Sequence, residues 1–229
     1  VHSIDTTVLL AFSLGTSMHE LLQESISNSY DMESEAVVDL SATGVSLSGS
    51  ADGVVEIDGE TRLLEIKTMS SYPYRLAKES GMPKRQHVAQ AALYAMGFPE
   101  VTKLWIVYLA KESGFRGHKA GEMLEFVIDL DEQIIDGYTP REIAEQELEH
   151  FRSVQKDLSE DMLPDAVVFD DDGADMLIEK PPAYGAAKGQ RQCRFCRYQS
   201  ICEAVGPTEV TLDAARTHAE WLTHEGETV

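Results

Sequence analysis

Apolar and polar positions recur along the chain with periods that predict an ordered series of strands and helices. Residues 7–14 form an apolar run expected to pack, and Gly15 leads from it into Ser17-x-x-Glu20. That is a capping-box pattern, and it predicts a helix running toward Tyr30 with Met18, Leu22 and Ile26 on its buried stripe. Residues 36–40 and 44–47 read as short strands. Residues 49–67, GSADGVVEIDGETRLLEIK, hold two β-prone runs on either side of Asp58-Gly59, a strong short-range signal for a two-residue hairpin turn. Residues 70–85 carry Pro73, Gly81 and Pro83 and read as a long irregular connection with room for one helical turn. Residues 86–96 predict a helix ended by Gly97. The run LWIVYL at 104–109 predicts a buried strand and 123–130 an alternating one, with a polar turn over 111–121 between them. Residues 134–158 predict a long acidic helix with a break or restart at Gly137 and Pro140. Residues 161–190 read as a connector whose Asp170-Asp171-Asp172-Gly173 run lacks the spaced ligands of a calcium loop, and 211–223 as a final amphipathic helix carrying Trp221. No internal repeat is present.

The hairpin carries the first candidate chemistry. With Ile57 and Glu60 flanking the turn, Asp52 falls opposite Glu65, their Cβ atoms roughly 4.5–5.5 Å apart. Two carboxylates so placed repel unless a cation lies between them or one binds a proton. Lys67, two residues beyond Glu65, points to the same face. Val55, Ile57, Leu64 and Ile66 line the other face, and Val54 and Leu63 add apolar surface on the carboxylate side, so the hairpin is expected to be central and covered on both sides. A buried Asp, Glu and Lys make a poor core but a good site for Mg²⁺ or Mn²⁺, which take carboxylate and carbonyl oxygens. A solvated ribbon with ordinary charges is the alternative, and a one-residue slip would send the carboxylates to opposite faces. His19, taken alone, reads as a structural or exposed histidine. His87, Gln90, Ala91 and Tyr94 share one face of their helix.

Composition narrows the class. The 229 residues, 25.3 kDa, suit one domain with an appended C-terminal element, expected as a core over 1–160 and an acidic, cysteine-bearing segment over 161–229. No apolar run suits a membrane span and no signal peptide is visible, so no membrane association and a cytoplasmic setting are expected. The chain begins at Val1 rather than a methionine, so residues upstream are expected. The formal net charge of −21 argues against a broadly basic nucleic-acid surface. Between Ala120 and Glu179 stand 19 acidic residues against 3 basic ones, a solvated face. Arg75, Lys78, Lys84 and Arg85 cluster just after the hairpin as candidate phosphate contacts. Cys193, Cys196 and Cys202 give C-x₂-C-x₅-C, which is no disulfide scaffold and suits zinc or an iron–sulfur cluster, each normally needing a fourth ligand.

These pieces in this order resemble the RecB-like branch of the PD-(D/E)XK nuclease superfamily, and more closely the CRISPR-associated Cas-four exonucleases and their phage relatives. The G-x-x-x-H element falls on Gly15 and His19, G-x-x-D on Gly49 and Asp52, E-x-K on Glu65 and Lys67, and Q-x-x-x-Y on Gln90 and Tyr94. The resemblance spans Gly15 to Cys202. It implies an α/β, restriction-endonuclease-like fold: a mixed β-sheet core flanked by helices, with a C-terminal cysteine-ligated iron–sulfur element. It implies that His19, Asp52, Glu65 and the carbonyl of Ile66 bind Mg²⁺ or Mn²⁺, that Lys67 is the catalytic lysine, and that Gln90 and Tyr94 orient the lysine and the DNA backbone. It also implies a 4Fe-4S cluster on Cys193, Cys196, Cys202 and a fourth cysteine ahead of the histidine helix. No cysteine precedes His19, which leaves a cysteine upstream of Val1, a substitute such as His2, or a decayed cluster; the first is the expectation.

The function implied is a metal-dependent DNA exonuclease hydrolysing phosphodiester bonds at single-stranded DNA ends, in recombination, phage DNA processing or CRISPR adaptation, with protein partners in a DNA-processing complex. The alternatives are a catalytically unused nuclease-fold module for DNA binding or assembly and, at the cysteines, zinc in place of iron–sulfur.

Overall fold

The computed structural model describes residues 6–114, 117–134, 137–160, 167–169 and 175–177. Cys193, Cys196, Cys202, His2, the Asp170–Gly173 run and the expected helix at 211–223 lie outside the described residues. The chain separates into two compact units, Val1–Leu148 and Glu149–Val229.

In the first unit, five strands hydrogen-bond side by side in chain order: β1 (Asp31–Asp39), β2 (Ser48–Ile57), β3 (Glu60–Met69), β4 (Lys103–Ala110) and β5 (Met123–Asp129). β3 and β4 are parallel and the other neighbours antiparallel, so the sheet is mixed, as expected. The β2–β3 turn has the expected form. Asp58 and Gly59 both take positive φ, 54° and 78°, which gives a two-residue turn the twist of its flanking strands, and Ile57 stands opposite Glu60.

Helices cover both faces. α1 (Thr6–Ser27) places Leu22 and Ile26 against Val55, Leu64, Ile66, Trp105 and Val107. The parallel β3–β4 connection requires a crossover, and it is made by α2 (Ser71–Ser80) and α3 (Arg85–Ala95). α3 packs on β3 and β4 from the side to which Glu65, Lys67 and Tyr108 point, since alternate residues of a strand face opposite ways. α4 (Pro140–Ser159) follows β5 and buries Ile143, Ala144 and Leu148. No helix among the described residues is long and apolar enough to cross a membrane.

Four local expectations are corrected. α1 begins at Thr6, so Ser17-x-x-Glu20 lies inside the helix and caps nothing; nothing in 7–14 breaks a helix, and Leu9, Leu10, Phe12 and Leu14 are exposed rather than packed. Residues 44–47 form no strand, because one turn of 3-10 helix at Ser41–Thr43 ends in Gly44 with φ 82° and the chain loops into β2. The supposed irregular stretch 70–85 is mostly α2: Pro73 sits in its first turn, where no intrahelical N–H is lost, and Gly81, at φ 67°, is its left-handed C-cap. Finally, the connector at 161–190 contains β6 (Val167–Phe169) and β7 (Asp175–Leu177), an antiparallel pair in the second unit.

Candidate active site

The ladder between β2 and β3 runs in the predicted register but stops at the Gly53–Leu64 pair. Beyond it, β2 continues paired with β1 alone and β3 with β4 alone. The sheet therefore splits, and Asp52 and Glu65 are the first residues on either side of the opening. The expected direct strand pairing of these two is not made. Asp52 instead turns its carboxylate onto the next strand, where Oδ2 accepts the Ile66 N–H at 2.5 Å.

Three further elements bring side chains to the split. His19, from α1, places Nε2 3.1 Å from Asp52 Oδ2, both side chains about one-fifth exposed. Its approach depends on Gly15 one turn earlier, where a Cβ would lie 3.1 Å from Thr68 Oγ1 on β3. From α3, Gln90 Oε1 accepts a hydrogen bond from Lys67 Nζ at 3.1 Å, and the same ammonium pairs with Glu65 Oε1. Tyr94, one turn beyond Gln90, lays its ring against Gly49 of β2; a Cβ there would lie 3.0 Å from the tyrosine hydroxyl. All four short motifs thus meet in one place, and both motif glycines stand where a side chain of another element, the Thr68 hydroxyl or the Tyr94 ring, packs so closely that an added Cβ would force it to shift.

The electrostatics follow from the burial. Glu65 is 1% exposed, and desolvation pushes its carboxyl up to about 7 against the opposing pull of Lys67, with the Asp52 charge adding to the rise. His19 is raised above its ordinary value, chiefly by its hydrogen bond to Asp52, with Glu35 and Glu65 contributing.

Sequence reasoning missed the residues that hold Asp52 from behind. Glu35 lies across from Asp52 on β1, between the Ser34–Gly53 and Ala36–Ala51 pairs, with φ 52°. Its carboxylate accepts hydrogen bonds from Gln23 Nε2 at 3.0 Å and Ser50 Oγ at 2.8 Å, and the Gln23 amide also donates to the Asp52 carbonyl at 2.6 Å. No turn signal fixes the β1–β2 register in the sequence, so nothing there could place Glu35 opposite Asp52. The basic cluster after the hairpin is largely engaged. Arg75 forks onto Glu79, Lys78 pairs with Glu122, and Arg85 donates to Gln146, while the Lys84 backbone N–H donates to the buried Tyr108 hydroxyl.

Hard oxygen donors and one imidazole suit Mg²⁺ or Mn²⁺. Among the described residues no three His, Cys, Asp or Glu side chains converge on one point as they stand, and Glu65 is paired with Lys67. The buried Glu65 carboxylate, whose charged form desolvation disfavours, is the group whose charge a cation beside Asp52 would stabilise.

A family model of the PD-(D/E)XK nuclease superfamily matches residues 14–203. Solved structures similar to the chain include SSO0001, at 20% identity over 62% of this chain with a TM-score of 0.39; the match spans 59% of that chain, less than two thirds of its length. The alkaline exonuclease LHK-Exo of Laribacter hongkongensis is similar at 18% identity over 69% of this chain and 75% of its own, with a TM-score of 0.44. Its complex with dAMP is similar at 16% identity over 69% and 77%, with a TM-score of 0.41. No curated protein matches the chain by sequence.

Proposed function

The chain belongs to the PD-(D/E)XK nuclease superfamily, and from that premise we propose that it is a metal-dependent deoxyribonuclease hydrolysing phosphodiester bonds at single-stranded DNA ends. The observation that carries this is the meeting of Asp52, Glu65 and Lys67 at the split between β2 and β3, with His19 and Gln90 reaching the same point from two helices. His19, Asp52, Glu65 and the Ile66 carbonyl would hold Mg²⁺ or Mn²⁺, which when bound supplies Lewis-acid polarisation of the phosphate and a more acidic water. The chain's own residues do the rest. Gln90 and Glu65 hold Lys67 at the mouth of the split, where its ammonium can stabilise charge developing on the phosphate oxygens. Tyr94 and Gly49 shape the wall along which the DNA backbone would pass.

We assign the nuclease core to residues 1–160 and read 161–229 as an appended element whose Cys193, Cys196 and Cys202 would contribute to a 4Fe-4S cluster. Those ligands lie outside the described residues. A cytoplasmic role in recombination, phage DNA processing or CRISPR adaptation, within a complex of DNA-processing proteins, fits such an enzyme. Labelled single-stranded DNA incubated with Mn²⁺, and in parallel with chelator, tests the proposal: cleavage only with the metal supports it.

A second reading, a nuclease-fold DNA-binding or assembly module, draws on the net charge of −21 and on the engagement of Arg75 and Lys78 by Glu79 and Glu122. It predicts binding of the same DNA without cleavage.

A further inference from the structure

His87 stands one turn before Gln90 on α3, so the two side chains share a face about 5–6 Å apart at Cβ. Gln90 is the residue that holds Lys67. His87 therefore stands next to the residue that holds the lysine, near enough for the Lys67 charge to act on it, and nothing in the metal-binding set accounts for it.

Its ring is oriented from within the core. Nδ1 lies 2.6 Å from the hydroxyl of Tyr108, a fully buried residue of β4, and the two rings meet edge to face at 89°. The same hydroxyl accepts the backbone N–H of Lys84 at 2.9 Å. A phenol has one proton to give, and burial keeps Tyr108 protonated by pushing its hydroxyl above the ordinary range. One lone pair is taken by Lys84, and the hydroxyl's buried proton finds its acceptor in His87 Nδ1, an arrangement that satisfies both groups and places the ring proton on Nε2; an Nδ1–H would fill the second lone pair and leave the phenol proton without that acceptor. Burial, with Lys67 and Lys84 nearby, depresses His87 to about 4, so the imidazole is neutral at pH 7. Nε2 lies 3.4 Å from the amide nitrogen of exposed Gln86, too long a contact to fix that amide's orientation.

Resting on the nuclease reading above, we propose that His87 contacts the substrate: its Nε2–H donates a hydrogen bond to a non-bridging phosphate oxygen of DNA bound beside Lys67, and Tyr108 is the positioning residue that holds the required tautomer. A neutral donor at this place adds a directional contact to the phosphate without placing a second cation against Lys67 and a bound metal. It also links the start of α3, through Lys84 and Tyr108, to the phosphate. Exposed Lys84, one turn earlier, extends the same edge along the backbone of the nucleic acid.

The test has two arms on the full chain. Nitrogen-15 NMR of the imidazoles at pH 7, without metal, should show His87 protonated on Nε2, and titrated single-stranded DNA should shift that signal; Tyr108→Phe should mix the tautomers. In cleavage assays with Mn²⁺, His87→Ala and His87→Asn should lose about 10- to 100-fold in kcat/KM, the range of a hydrogen bond to a charged group. His87→Gln, whose amide nitrogen can stand where Nε2 stood, should recover most of it, and Mn²⁺ affinity should be unchanged in all three. An Nδ1–H tautomer, a signal unmoved by DNA, wild-type cleavage by His87→Ala, or equal losses in the Gln and Ala variants would overturn the assignment. Absence of cleavage by the wild type would instead sink the nuclease reading, and the response of the Nε2 signal to DNA would still decide the contact.

Discussion

Asp52 Oδ2 sits 2.5 Å from the Ile66 amide nitrogen and takes the hydrogen bond that a continuing strand ladder would have used. A side chain has replaced a strand partner, and that substitution opens the sheet. It also leaves the carboxylate facing His19 at 3.1 Å. Asp52 therefore has a structural and a chemical task, which can be separated by substitution. Asp52→Ala unpairs a buried N–H and should cost about 1–3 kcal/mol of stability together with most of the Mn²⁺ affinity. Asp52→Asn keeps an acceptor for Ile66 and should lose affinity with much less loss of stability. Calorimetric titration with Mn²⁺ and denaturant unfolding check both; wild-type affinity in either variant contradicts the proposed ligand role.

Lys67→Ala removes the ammonium shared by Glu65 and Gln90. Cleavage should fall by roughly 10²–10³-fold or more, the scale of losing one preorganised electrostatic contact to the reacting group, while circular dichroism and Mn²⁺ binding stay close to wild type. Cleavage at the wild-type rate would rule out the assigned role.

Glu65 makes stability depend on pH in a direction opposite to most carboxylates. Its folded value of about 7 stands above the ordinary 4.5, so between these limits the folded chain binds more protons than the unfolded one. Its contribution is fully present below about pH 4.5 and is lost as pH rises through about 7, a change on the order of 3 kcal/mol. Without metal, Glu65→Gln should therefore gain stability over the wild type from acid to pH 8, and Mn²⁺ should reverse the ranking at pH 8. A pH-independent difference between the two proteins would refute the burial origin of the shift.

Gly15 tests how α1 delivers His19. A Cβ at this position meets Thr68 Oγ1 at 3.1 Å, so Gly15→Ala must move either the helix or the threonine. The variant should lose about 1–3 kcal/mol as an overpacked contact and weaken Mn²⁺ binding, although alanine is the better helix former. Thr68→Ala in the same chain should restore both. Additive losses in the double variant would show that the close approach is not the cause.

The cysteines divide iron from zinc. Anaerobically purified protein carrying a 4Fe-4S cluster should be brown with a broad visible absorption band, and substituting Cys193, Cys196 or Cys202 with Ser should remove the colour. Colourless protein with stoichiometric zinc would establish the alternative.

The hairpin and its expected register are legible in the residues themselves, and the strand pairing bears them out as far as Gly53–Leu64. Asp58-Gly59 between β-prone runs favours the two-residue turn that is found, and period-two alternation then places Glu65 and Lys67 together and Leu64 and Ile66 opposite. The sequence by itself also determined the helix bearing Gln90 and the buried strand bearing Tyr108, because both have strong local patterns. It misled where one residue type serves two purposes: Pro73 and Gly81 mark the first turn and the C-cap of α2 as readily as a loop. Only the tertiary structure decided that the ladder ends at Gly53–Leu64, that Asp52 reaches Ile66 rather than pairing across to Glu65, and that Glu35, Gln23 and Ser50 brace it from β1, α1 and β2. Local periodicity reports which face a side chain takes within its own strand or helix. Where strands part, and which distant groups satisfy the hydrogen bonds left open, depends on helices that pack from both sides, and no short window of residues contains them.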